Sequence, residues 1–124
     1  MDRNDVIRRV AEIQAGRLKR PFGRCLEASE RLVDALARRG IHARILRCSD
    51  GVLHAPKADR RWLAIRRAPV SWVHYVVQVD DLIIDLTRRQ FFPDAPNPHY
   101  ADARSLASEW QAIATVCNQE RLAS

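Results

Sequence analysis

The chain has 124 residues, 47% of them apolar and 29% charged, with a net charge of +6. That length suits one compact domain around a single core, and that composition excludes an intrinsically disordered chain. No apolar run reaches the ~20 residues of a membrane helix, and the opening Met1-Asp2-Arg3-Asn4-Asp5-Val6 has no apolar signal region, which predicts a cytoplasmic protein, or one exported into a target cell without a cleavable signal.

In chain order, Val6, Val10 and Ile13 stand at helical spacing and predict a helix over 5–15, with Gly16 as its stop. Pro21 and Gly23 mark a loop. The clearest helix spans 25–39. Glu27, Glu30, Arg31, Asp34 and Arg38 form one polar stripe, and apolar or small side chains cover more than half of the circumference, so this helix is expected to be central. Gly40 ends it. Residues 41–48 alternate as a strand, Ser49-Asp50-Gly51 reads as a turn, and a short strand around Val52 to His54 is possible by composition. Residues 56–61 read as loop, and 62–67 are ambiguous. The strongest strand signal is 71–87, where Asp80-Asp81 separates two apolar runs as the turn of a hairpin. Pro93, Pro96 and Pro98 define a stiff loop. Residues 102–119 predict a closing helix with Leu106, Trp110, Ile113 and Cys117 on one face.

Nineteen of the 21 basic residues are Arg, but they spread along the whole chain. There is no basic tail and no basic run interleaved with aromatics, which argues against nucleic-acid binding as the main role. The three cysteines, Cys25, Cys48 and Cys117, form neither a disulfide framework nor a zinc-ligand spacing. No cofactor motif is present. Cys48 and Cys117 read as small apolar residues.

Cys25 differs from them because it opens the central helix. A thiol in a first helical turn feels unpaired N–H groups and the positive end of the helix dipole, which favour thiolate. The hairpin supplies partners. With Asp80-Asp81 as the turn, Val79 opposes Leu82, Gln78 opposes Ile83, Val77 opposes Ile84 and Val76 opposes Asp85. His74 and Asp85 then share a face as diagonal neighbours, about 7 Å apart at Cβ, close enough for an imidazole–carboxylate hydrogen bond. A slip of one residue would separate them. Both interrupt apolar runs, where an unpaired carboxylate is costly. Such a carboxylate would fix the ring tautomer and stabilise its cation. The plainer alternative is a buried His–Asp pair that only organises the sheet. His42 and His54 have no carboxylate partner at strand spacing and read as surface or half-buried residues, and His99, in the Pro-rich loop, reads as solvated. Trp72 could wall a groove or fill the core, and Gln90 and Phe91 could hold the loop beside the site.

Gly23-Arg24-Cys25-Leu26-Glu27-Ala28-Ser29, continuing to Gly40-Ile41-His42-Ala43-Arg44, resembles the cysteine helix and following strand of papain-like and transglutaminase-like proteins. Val73 to Val79 and Leu82 to Thr87 resemble their histidine and aspartate strands, and Thr87-Arg88-Arg89-Gln90-Phe91 is similar to segments of small papain-fold toxin and deamidase domains. The resemblance covers residues 20–92. It implies an α+β papain-like core, with the Cys25 helix packed on a small antiparallel sheet between flanking terminal helices. It further implies a triad of nucleophile Cys25, base and acid His74, and orienter Asp85, acting on an amide of a protein substrate. A bacterial effector or toxin of this kind would have a cognate immunity protein as partner. The Cys-Gly-Ser/Ala-Cys-Trp/Tyr signature of papain itself is absent. Gln14 is the nearest upstream glutamine that could complete an oxyanion hole, and it falls on the first helix, leaving the second donor unassigned. Deamidation of glutamine, proteolysis and transglutamination share this plan, and the short chain favours deamidation. The other classes left open are a vestigial papain-fold binding module that docks an acidic partner or nucleic acid, and an arylamine or peptide acyl-transfer enzyme.

Overall fold

A computed structural model describes residues 2–20, 24–51, 73–92 and 94–117. The expected strand at 52–54, the segments 56–61 and 62–67, His54 and Trp72 lie outside the described residues. The architecture is α+β. A five-stranded antiparallel sheet runs in the order β4-β3-β2-β1-β5, with β1 Arg44–Gly51, β2 Val73–Val79, β3 Leu82–Asp85, β4 His99–Asp102 and β5 Trp110–Thr115. Three α-helices accompany it among the described residues: α1 Arg3–Arg17, α2 Cys25–Ala37 and α3 Ala103–Glu109.

Helix α1 starts at an Asp2 cap, whose side chain accepts the Asp5 backbone N–H at 2.8 Å. It runs through Gly16 to Arg17 rather than stopping at the glycine. Packing explains this. Ile7, Val10, Ala11 and Ala15 are buried against α2, and that burial outweighs the small helical penalty of one glycine. Helix α2 ends as expected at Gly40, which adopts φ 73° while Ile41 N–H closes back on the Leu36 carbonyl at 3.0 Å.

Helix α2 buries Ala28, Ser29, Leu32 and Leu36. These residues pack with α1 and with one face of the sheet, including Val77, Val79, Ile84 and Leu86. The opposite face carries a second core of Leu46, Cys48, Val76, Ile83, Phe91, Leu106 and Trp110. The sheet is therefore covered on both faces, and side chains alternate between two apolar layers.

The hairpin has the expected register: Val79 pairs with Leu82, Gln78 with Ile83 and Val77 with Ile84. Asp80 takes the left-handed conformation at φ 55°, which Asp tolerates better than most residues. The ladder ends at Val77–Ile84, so the expected Val76–Asp85 pair does not form. Beyond it, β3 continues beside β4, where Asp85 pairs with His99.

Two expectations at the C-terminal end are corrected. His99–Asp102 forms edge strand β4, not loop, and His99 is half-buried. The helix expected over 102–119 spans only Ala103–Glu109, and the chain then turns into β5. Asp102 caps the short helix by accepting the Ser105 N–H at 2.8 Å. Ile113, Thr115 and Val116 are β-branched and resist helix. The outer edge of β1 offers them a ladder from Leu46 to Gly51. Pairing backbone groups there outweighs the local helical pattern. Among the described residues, no helix is long and apolar enough to cross a membrane.

Candidate active site

Cys25 is the first residue of α2, so its own N–H has no intrahelical acceptor. The Arg24 side chain makes no cap, and the Arg24 carbonyl accepts Ala28 N–H at 2.9 Å to start the helix. Because β2 pairs with β3 only from Val77 onward, residues 73–76 have no β3 partner. The first turn of α2 meets β2 in this stretch. The Cys25 thiol is within electrostatic reach of the His74 ring and the Tyr75 backbone N–H, both of which favour its thiolate.

His74 is 1% exposed and points to the face opposite α1 and α2, beside the second core. Its Nε2 lies 2.8 Å from Asp85 Oδ2. Asp85 is also buried, and its other oxygen accepts the Thr87 backbone N–H at 2.9 Å and the Thr87 hydroxyl at 3.5 Å. The carboxylate therefore has acceptor bonds on both oxygens. An ionised Asp85 requires a proton on Nε2, which leaves Nδ1 as the acceptor of a neutral ring. The imidazole stacks on Trp110, with centroids 5.6 Å apart and planes 18° apart, and meets the edge of Phe91 at 5.0 Å. A flat aromatic platform restricts ring rotation and favours the cation.

The electrostatics follow from this packing. Burial alone would push His74 down, but the Asp85 charge and hydrogen bond, with smaller help from Cys25, raise it to about 9. Burial would push Asp85 up, and the His74 cation, its hydrogen bond and the Thr87 N–H bring it below the ordinary carboxylate value. Burial likewise opposes a Cys25 thiolate. The His74 hydrogen bond and charge and the Tyr75 N–H overcome it, so the thiol lies below its ordinary value. Cys48 has the opposite balance. It is fully buried opposite His74 in the β1–β2 ladder, and burial with the Asp85 charge pushes its thiol up to about 12. Two cysteines next to one imidazole thus diverge in reactivity.

The structure brings Cys25, His74 and Asp85 together. Two participants were not assigned this role from sequence. Gln90, in the 3₁₀ turn Arg88–Gln90, is 1% exposed and its Nε2 lies 3.1 Å from His74 Nδ1. Its Oε1 is buried without a hydrogen-bond partner. Trp110 was placed on a helix face with Leu106, and it instead opens β5 over the imidazole. The sequence signal for Gln90 is weak: a polar residue five positions beyond Asp85, in a turn whose fold-back depends on a tertiary ion pair. That pair is Arg88 with Glu109 of α3, joined by two hydrogen bonds of 2.9 and 2.8 Å. His42 is exposed, as expected.

A cleft of about 330 Å³ opens between the end of α1 and the first turns of α2, and Cys25, His74 and Asp85 are not themselves among the residues that line it. Arg24, adjacent to Cys25, and Leu86, adjacent to Asp85, both line it, as does Gln14 of α1. Among the described residues, no three His, Cys, Asp or Glu side chains gather as a metal site requires.

No family model, no curated protein and no solved structure matches the chain.

Proposed function

We propose that this chain is a cysteine-dependent amide hydrolase with a papain-like core, whose preferred reaction is deamidation of a glutamine side chain in a protein. The observation that carries this reading is a buried histidine ring whose Nε2 is held 2.8 Å from a buried carboxylate, with the Cys25 thiol at the start of α2 within electrostatic reach of the same ring.

The chemistry balances as follows. The Cys25 thiolate attacks the amide carbon, forming a C–S bond while the carbonyl π electrons move to oxygen. The free N–H at the start of α2 can donate to that oxyanion. The His74 imidazolium gives its Nδ1 proton to the nitrogen as the C–N bond breaks, so ammonia leaves and a thioester remains. Water then loses a proton to His74 as it attacks the thioester. The C–S bond breaks, the product carboxyl departs and the thiolate–imidazolium pair is restored. Asp85 stays ionised throughout and holds the ring orientation. A peptide bond in place of the side-chain amide gives proteolysis, and a primary amine in place of water gives transglutamination.

Mass spectrometry of glutamine-containing protein substrates after incubation tests the reaction. A mass increase of about 1 Da at glutamine, lost in Cys25→Ala, is expected, since the reaction exchanges –NH₂ for –OH by way of the thioester. Chain cleavage or cross-links would reassign the chemistry within the same machinery. Failure of every substrate to acylate Cys25 would overturn the enzymatic reading.

A further inference from the structure

The cleft between the end of α1 and the start of α2, lined in part by Arg24, the chain neighbour of Cys25, has an uneven charge balance. Five cations line it, Arg17, Lys19, Arg20, Arg24 and Arg31, against the single carboxylate of Glu27. Glu27 is already shared between Arg24 at 3.3 Å and Arg31 at 2.7 Å. Arg17, Lys19 and Arg20 have no carboxylate partner among the described residues. Arg24, at the N-terminus of α2, is part of this lining, so the positive end of the helix dipole adds to the potential. Unneutralised like charges held together in a concave site repel one another and focus the field on an incoming anion. Elsewhere among the described residues, Arg3 pairs with Asp80 and Arg88 with Glu109.

We infer that this cleft binds an acidic stretch of polypeptide and so selects substrates whose target amide lies next to Asp or Glu residues. The inference rests on the amide-hydrolase reading for its reacting group and on the cleft's own residues for its ligand. The volume accommodates a few side chains, and Leu86 supplies an apolar contact for their methylenes. No aromatic side chain lines the cleft, so stacked bases would find no platform. Arg24 precedes Cys25 in the chain, so the acidic stretch and the reacting amide would be separate, nearby parts of one substrate. Specificity of this kind appears mainly in binding and on-rate, and it weakens with salt.

Fluorescence anisotropy on the Cys25→Ala protein separates binding from chemistry. The probe is a labelled peptide with one glutamine between runs of glutamate, compared with the same peptide carrying serine in place of each glutamate. The acidic peptide should bind more tightly, and Arg17→Gln/Arg20→Gln should weaken it about tenfold, the summed effect expected of two exposed ion pairs. Arg17→Lys/Arg20→Lys should largely restore it, which excludes misfolding as the cause. Equal affinity for both peptides, or no loss in the Gln pair, overturns the inference. Tighter binding of single-stranded RNA that displaces the peptide also overturns it, in favour of a nucleic-acid site. If glutamine peptides are deamidated without preference for acidic neighbours, the cleft assignment falls and the hydrolase stands. If the acidic peptide binds but never acylates Cys25 in the wild-type chain, the hydrolase falls, and the cleft loses its role as a substrate site.

Discussion

Asp85→Asn should convert the imidazole from a proton-holding partner into an ordinary buried histidine. Asparagine nearly preserves shape and can still accept the Thr87 N–H that Asp85 accepts at 2.9 Å. Two things change. The charge that opposes burial disappears, and the amide N–H₂ placed 2.8 Å from Nε2 forces that nitrogen to accept. The proton of a neutral ring then moves to Nδ1, where it cannot receive a thiol proton. In the wild-type chain His74 lies at about 9 against an ordinary 6.5. At ~1.4 kcal/mol per pH unit, that gap favours the cation by about 3 kcal/mol. With the Asp85 charge and hydrogen bond gone, only the smaller help from Cys25 opposes burial, and the ring should titrate well below 9 in the variant. The thiolate–imidazolium population near neutral pH, and with it turnover, should fall by about 10²- to 10³-fold. NMR titration of ¹³C-labelled histidine, with His74 assigned by substitution, reads the ring directly. An Asp85→Asn protein whose His74 still titrates near 9, or whose turnover stays within threefold of wild type, would refute the electrostatic reasoning.

Stability should vary with pH in a pattern set by the same pair. The raised His74 contributes fully below its unfolded value of 6.5 and loses its contribution as pH rises through about 9, while the lowered Asp85 contributes above its unfolded value of about 3.9 and is lost as pH falls through its folded value. The pair's contribution is therefore greatest from about pH 4 to 6.5, and urea midpoints across pH for wild type and Asp85→Asn should differ most in that window. Gln90→Leu should change stability by less than about 1 kcal/mol despite near-complete burial, because it removes a buried amide whose carbonyl is already orphaned and whose N–H₂ faces Nδ1, which can accept from it only in the neutral ring. A loss of several kcal/mol on denaturant unfolding would mean that Oε1 is satisfied in solution. Gly40→Ala should cost about 1 kcal/mol, seen as a lower midpoint at unchanged m-value: φ is 73°, and with nothing within 4 Å of a new Cβ the penalty is purely conformational.

The hairpin and α2 were legible because their signals are local. Asp80-Asp81 divides two apolar runs, and period-two alternation then fixes which residues share a face, so the His74–Asp85 contact followed from counting. The stripe from Glu27 to Arg38 and the terminal Gly40 fixed α2 in the same way. What escaped the sequence depends on long-range pairing. Residues 110–115 look helical until the open edge of β1 is present, and His99–Asp102 becomes a strand only beside β3. Gln90 reaches the imidazole because Arg88 ties its turn to Glu109, 21 residues away. The basic cleft likewise needs the end of α1 beside the start of α2, and no spacing in the chain announces that juxtaposition.

Competitive alkylation of the three cysteines addresses the reactivity of Cys25 most directly, because Cys117 is exposed and Cys25 only partly so. Limiting iodoacetamide near pH 6.5, followed by peptide mapping, should modify Cys25 at least about tenfold faster than Cys117, with Cys48 unmodified, and His74→Ala should abolish the advantage. Faster labelling of Cys117 than of Cys25, or a Cys25 rate indifferent to His74→Ala, would contradict an activated thiolate at the start of α2.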